Sequence, residues 1–343
     1  MLPEVSGTET CQDRFHQRWG HLRDPHVRAL VWLLDAPDLL DTHAPRWEGK
    51  IASLAIDWPA VRTWLNELED NPAALHAYLA TTPTTRLGRY AEKLLTFYFG
   101  WRGILMAHGL QVREPGNATI GEFDFLLLQG EGLLHLELAT KFYLFEAAPS
   151  ADAAEHFIGP NLADTLGAKM QKILHRQLAL AGHPAARAYL PQPVSCSQAL
   201  IKGWLFYRGW PLPSLVSSGV ADSHCRGFWC SMSEFRQKNF LHSPATGFLH
   251  LPRLAWLAPA TAALHEVRDH NAMSAFLEAH FAVDSIPMVV ALMEGEGLQS
   301  TGQNAVQNVA SARESARCFV VPDDWRERAR DRNQRSVLKW EAD

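Results

Sequence analysis

The apolar positions of this chain change period along its length, and the changes divide it into parts. Residues 86–100 place Leu87, Ala91, Leu94 and Tyr98 at i, i+4, i+7 and i+11, the spacing of an amphipathic helix, with Gly100 at its end. Residues 121–145 shift to period two. Glu-Phe-Asp-Phe-Leu-Leu-Leu precedes a Gln-Gly-Glu-Gly turn, and Leu-Leu-His-Leu-Glu-Leu-Ala-Thr-Lys-Phe-Tyr-Leu-Phe follows it, which predicts a β-hairpin. Helical spacing returns over 162–181 through Leu162, Leu166, Met170, Ile173, Leu174 and Leu178, and closes at Gly182. Residues 199–207 then predict a further strand.

On either side the pattern is less regular. The first eighty or so residues read as short helices started by proline, with Asp24 as cap and Pro25 in the first turn, and Pro59 and Pro72 in the same starting place for two more. Beyond Gly209 the expected elements are strands at 247–251, 286–293 and 318–321, a helix at 265–281 and a basic tail helix. The expected organisation is therefore a helical lead over 1–82, an α/β core over 83–210 and an α/β extension over 211–343.

Composition limits the function classes. The 343 residues are 47% hydrophobic and 20% charged, enough apolar material for a full core. With 37 acids against 32 bases the formal charge is −5, so any nucleic-acid surface must be a local basic patch. The N-terminus has neither a basic start nor an apolar stretch and no hydrophobic run reaches bilayer length, which leads us to expect a cytoplasmic protein with no membrane span. Five scattered cysteines without a Cys-x-x-Cys pair are expected to be reduced thiols. No Gly-x-Ser-x-Gly elbow, phosphate loop or dinucleotide fingerprint occurs.

The chemistry concentrates in the hairpin. With Gly130-Glu131 as a two-residue loop, Gln129 faces Gly132 and Asp124 lies directly opposite Glu137; with Glu131-Gly132 as the loop the two acids are diagonal neighbours on one face. Opposed Cβ atoms stand roughly 4.5–5.5 Å apart, and like charges so placed need a neutralising partner. Two carboxylates can share a Mg²⁺ with water and phosphate completing its octahedron. Alternation puts His135, Glu137, Ala139 and Lys141 on one face with Glu122 and Asp124, and Phe123, Phe125, Leu127, Leu134, Leu136 and Leu138 on the other. Upstream, Glu92 borders the apolar stripe of its helix. On the next helix Lys169, Lys172 and Arg176, with Gln177 beside them, make a basic ridge that suits a nucleic-acid backbone.

An acid on one strand, an acid followed by lysine on the next, and a glutamate on the preceding helix resemble the PD-(D/E)XK nuclease-like superfamily. The resemblance implies a restriction-endonuclease-like mixed β-sheet flanked by helices. It implies Asp124 and Glu137 as ligands of Mg²⁺ (or Mn²⁺), Lys141 as the water-positioning lysine, Glu92 as the helix glutamate, and hydrolysis of nucleic-acid phosphodiesters. The superfamily pattern has its lysine two residues after the acid, where this chain has Ala139; Lys141 lies about 6.6 Å further along the strand. The phrases Gly-Glu-Phe-Asp-Phe-Leu, His-Leu-Glu-Leu-Ala-Thr-Lys-Phe-Tyr-Leu, Gly-Pro-Asn-Leu-Ala-Asp-Thr-Leu and Lys-Gly-Trp-Leu-Phe-Tyr also resemble a bacterial family, domain of unknown function 1853, which implies no activity.

The expected function is thus a Mg²⁺-dependent nuclease; the alternative is an inactive nuclease-like scaffold that binds nucleic acid or protein. Weaker signals are His224-Cys225 with Cys230, read as buried thiols, the stretch from His265 to His270, read as a solvated helix, and Trp204, Trp210 and Trp229, candidates for base stacking if exposed.

Overall fold

The structure, a computed structural model, describes residues 9–114, 116, 118–147, 153–208, 218–237, 247–295 and 311–340, with side chains as far as Arg332. The N-terminal part folds into α1 (Cys11–Trp19), α2 (Pro25–Asp35), α3 (Trp58–Asp70) and α4 (Ala73–Ala80). Asp24 caps α2 by accepting the N–H groups of His26 and Val27, with Pro25 in the first turn as the spacing predicts. Pro59 stands in the first turn of α3, whereas Pro72 precedes α4 and is itself the cap. Then α5 (Leu87–Trp101) runs one residue past Gly100, and Gly103, at φ +67°, makes the left-handed turn that ends it.

The strands are β1 (Leu105–Arg113), β2 (Thr119–Gln129), β3 (Gly132–Phe145), β4 (Phe157–Ile158), β5 (Val194–Tyr207), β6 (Cys225–Ser231), β7 (Gly247–Leu251), β8 (Thr261–Ala263), β9 (Met288–Glu294) and β10 (Ser311–Val321). With them come α6 (Leu166–Lys172), α7 (Met232–Arg236), α8 (His270–Phe281) and α9 (Trp325–Trp340). All strands join one ten-stranded sheet in the order β1-β2-β3-β5-β6-β10-β9-β7, with β4 on β3 and β8 on β10. β3, β5, β6 and β10 run parallel, and both flanks are antiparallel, so this is a mixed α/β sheet flanked by helices. The sheet passes without a break from the hairpin into the strands beyond residue 210.

The hairpin takes the Gly130-Glu131 loop: Gln129 faces Gly132, and Gly130 carries φ +59° as the first position of a type II′ turn requires. Two helical layers cover the sheet here. On one face α5 packs with Phe99 edge-on to Phe125 at 5.3 Å, in a cluster with Leu127 and Leu136. On the other face Leu166, Met170, Ile173 and Leu174 pack on Ala139, Tyr143 and Ile201.

The second of these layers differs from expectation. The helix expected over 162–181 begins only after Thr165, whose side chain caps it, because Leu162 adopts φ +59° and cannot lie in a right-handed helix. After α6 the chain widens into a π turn at Ile173–Gln177 and tightens into a 3₁₀ turn at Leu178–Gly182. The widened turn rotates Arg176 and Gln177 away from the positions a 3.6-residue period gives them. Similarly, α8 starts at the Asp269 cap, so His265 lies in the turn Leu264–Glu266, outside that helix. Among the tryptophans, Trp204 and Trp229 are fully buried and cannot stack on bases; Trp210 lies outside the described residues. No helix among the described residues is long and apolar enough to cross a membrane.

Candidate active site

The β2–β3 ladder stops at Phe125 opposite Leu136. Toward its own N-terminus β2 continues against β1, with Leu110 facing Phe123 and Gln111 facing Glu122, while β3 continues against β5 from Glu137–Ala199 to Leu144–Phe206. The strands therefore fork, and two carboxylates take over the backbone donors that the ladder leaves. Leu138 N–H donates to Asp124 Oδ2 at 3.0 Å, and Asp124 N–H points at Glu137 Oε1 at 3.4 Å. The two acids meet across the hairpin.

Their neighbours are sorted differently from a strict alternation. Phe123 and Leu126 share a cluster with Val112 and Leu180, whereas Phe125 and Leu127 belong to the α5-side core. The alternation of β2 thus slips by one residue at Asp124, where the strand leaves β3 and follows β1. Phe123 consequently joins the face of His135, edge-on at 4.6 Å, and Glu122 turns to the α5 side. Glu122 and Phe123 are each on the face expected for the other, and Asp124 occupies the gap between the two sides.

Glu137 is fully buried. His135 Nε2 lies 2.8 Å from its Oε1, and Gln177 Nε2 donates to its Oε2 at 2.5 Å. His135 is oriented in turn by Ser197 Oγ at 3.3 Å from Nδ1. The π turn is what brings Gln177 inward, and its carbonyl Oε1 is buried without a hydrogen-bond donor among the described residues.

Burial pushes the Asp124 carboxyl up to about 8; the Glu137 charge adds to this, the Leu138 N–H opposes it, and Glu92 and Glu122 contribute further. No described residue donates to Asp124 Oδ1. Glu92 comes from α5, with its carboxyl also raised by burial. Arg89 clamps Glu92 at 2.8 Å and Glu122 at 2.9 Å, and the hydrogen bond to Glu122 is the largest influence holding its guanidinium protonated. Two of the four acids thereby share one positive charge on the α5 side.

The lysines divide. Lys141 stays on the α6 face, but its nearest carboxylate is Asp164, at 3.9 Å, and the charges acting on it are Lys169, Asp164 and Lys172. Lys169 is the lysine on which Asp124 and Glu137 both act. Lys172 and Arg176 are exposed on the outer side. Of the expected basic ridge, Gln177 bonds to Glu137, Lys169 is acted on by Asp164 and then by Asp124 and Glu137 without an ion pair to either among the described residues, and Lys172 and Arg176 are exposed.

Two neighbours were not anticipated. Tyr143 O–H donates to Asp164 Oδ2 at 3.0 Å, and Asp164 ends the loop of residues 159–164. The sequence signal for that loop is the Gly159-Pro160 step; what it encloses depends on tertiary contact. Among the described residues no group of three or more His, Cys, Asp and Glu is arranged to hold a metal ion, so a cation here would need a ligand of another type.

A family model described as "Domain of unknown function (DUF1853)" matches residues 28–321. Searches of the curated proteins and of the solved structures gave no match.

Proposed function

Since the chain belongs to the DUF1853 family, whose description names no activity, we propose from the site alone that it is a Mg²⁺-dependent nuclease of PD-(D/E)XK type on a restriction-endonuclease-like core. The observation that carries this is the fork, where Asp124, an acid raised to about 8 by burial, lies against Glu137 with no donor to its Oδ1 among the described residues. Gln177 Oε1, buried and without a partner among the described residues, sits on the amide that already holds Glu137. Two carboxylates and an amide oxygen are hard oxygen donors and fit Mg²⁺ or Mn²⁺. A bound ion would supply positive charge to a phosphoryl oxygen and lower the pKa of its water.

The chain's own residues do the rest. His135 and Gln177 orient Glu137, the Leu138 N–H orients Asp124, and Arg89 keeps Glu92 and Glu122 from adding their full charge to the pair. Lys169, which feels both ligand carboxylates, is assigned the water-positioning role in place of Lys141, which is committed to Asp164. Phosphodiester hydrolysis is the reaction that such a donor set with an adjacent ammonium serves.

One observation favours a second reading. Both Glu137 oxygens already accept hydrogen bonds from side chains, as they would in a scaffold that binds nucleic acid or protein without turnover. Calorimetric Mg²⁺ and Mn²⁺ titrations, run beside cleavage of labelled DNA and RNA, separate the two. The nuclease predicts millimolar or tighter ion binding and metal-dependent cleavage, both lost in Asp124→Asn; folded protein that binds neither ion and cleaves nothing rejects it.

A further inference from the structure

Next to the fork is a second constellation, built around the loop of residues 159–164. This loop is closed on itself: Gly159 N–H donates to Asp164 O at 2.9 Å and Leu162 N–H to Gly159 O at 2.8 Å. Leu162, a bulky residue, is held at φ +59°, a conformation that persists only where surroundings impose it. Gly159 packs closely on the loop's end, since a Cβ there would meet Asp164 Oδ1 at 2.7 Å and its carbonyl oxygen at 3.3 Å. From outside, α9 grips the loop through Trp325 Nε1 to Pro160 O at 2.6 Å and an Arg332 guanidinium N–H to Ala163 O at 3.3 Å. α9 is itself anchored by Arg326 on buried Glu146 at 2.7 Å.

The loop is held at both ends, and cations from β3 and α9 stand at its last two residues. Lys141 approaches Asp164 at 3.9 Å and lies 5.8 Å from the centre of the Tyr143 ring. Lys172, one turn along α6 from Lys169, acts on Lys141, and Arg332 of α9, bonded to Ala163 O, acts on the Tyr143 hydroxyl together with Asp164 and Glu155. Around Tyr143 and Lys141 the acids are Asp164 and Glu155 and the cations are Lys141, Lys169, Lys172 and Arg332, in a chain whose formal charge is −5. A local excess of positive charge on an acidic protein, beside a loop held at both ends, marks a place for an anion.

We propose that Lys141, Lys172 and Arg332 form a phosphate clamp that holds the nucleic-acid backbone on the α6 and α9 side of the fork, away from the metal-binding carboxylates. The inference rests on the nuclease-like reading of the fork and names how its polyanionic partner is held. The ridge continues outward through exposed Arg176, so the partner it suits is a strand, which presents phosphates in series, more than a single small anion. The basicity of Lys141 is depressed by burial and then by Lys169, with Asp164 only partly opposing, which agrees with a lysine among more cations than acids.

Fluorescence anisotropy of a labelled single-stranded oligonucleotide with the full-length protein in EDTA tests the clamp apart from the metal. The wild type is expected to bind. Lys141→Gln with Arg332→Gln is expected to weaken binding about tenfold, and Lys172→Glu, an exposed change that leaves folding intact, to weaken it and flatten the salt dependence by about one phosphate contact. Asp124→Asn is expected to keep the binding, so loss of cleavage without loss of binding condemns neither clamp nor fork. The clamp is overturned if wild type fails to bind in EDTA, if the folded variants bind as wild type does, or if polyglutamate binds as tightly as the oligonucleotide.

Discussion

A Cβ placed on Gly203 would lie 1.8 Å from the carbonyl oxygen of Lys141, its register partner across the parallel β3–β5 pair. The two strands are in contact there backbone to backbone, on the stretch of β3 that carries the site. Gly203→Ala must push β3 away from β5 and is expected to cost at least about 3 kcal/mol. Urea unfolding measures it; a cost under about 1 kcal/mol contradicts the strand spacing at Lys141.

Asp124 makes the fold depend on pH in an unusual direction for a carboxylate. Its folded pKa, about 8, lies above the ordinary aspartate value of 3.8, so the fold prefers the protonated form. That stabilisation is complete below the unfolded pKa and disappears as pH rises through about 8. Without divalent ions the Tm is expected to fall between pH 4 and 8, and Asp124→Asn, whose amide oxygen can still accept from Leu138, is expected to flatten this fall. Scanning calorimetry in EDTA decides it, and equal slopes for both proteins would remove Asp124 as the cause.

How much of this was legible beforehand differs by residue. The meeting of Asp124 with Glu137 follows from one turn: glycine at 130 sets the loop, the loop sets the register, and the register opposes the acids. The slip that exchanges Glu122 and Phe123 was not legible, because it arises where β2 loses β3 and keeps only β1. β1 is an edge strand whose mixed burial leaves no clean alternation. β6 went unread for a different reason: Cys225 and Cys230 were read as buried thiols, which they are, but the strand that carries them between parallel neighbours shows no clear period. Gln177 could be seen beside the apolar stripe, but its bond to Glu137 depends on a π turn that helical spacing does not announce.

Far from the fork, Glu314 and Arg317 form an ion pair with no solvent contact, at 2.7 Å. Arg317 also lies over the Trp204 ring at 3.9 Å and donates to the carbonyl of Ala258, while Glu314 accepts from the Ala260 N–H. Breaking such a pair leaves a buried charge, so Glu314→Gln is expected to cost about 3–5 kcal/mol. Replacing both partners by apolar residues, Glu314→Leu with Arg317→Met, is expected to recover part of that loss. A double-mutant cycle in denaturant tests this, and additivity of the two single changes would show that the pair is not coupled.

Lys141 separates folding from binding by opposite signs. Its pKa is lowered to about 8 by burial, then by Lys169, with Asp164 opposing and Lys172 adding to the fall; Tyr143 and Arg332 face the same space from β3 and α9. A lysine depressed below its unfolded value favours the neutral amine in the fold, so its stabilisation is present at high pH and is lost as pH falls through about 8. Lys141→Met removes that penalty and is expected to raise the Tm at pH 7. The phosphate clamp needs the ammonium form, so oligonucleotide affinity of the wild type should be greatest below about pH 8 and decline above it, and the decline should be absent in Lys141→Met, which binds weakly throughout. Anisotropy titrations at pH 6.5 and 9 in EDTA, at fixed ionic strength, read both effects. A variant that loses stability at pH 7, or a wild type whose affinity ignores this interval, would place Lys141 outside the clamp.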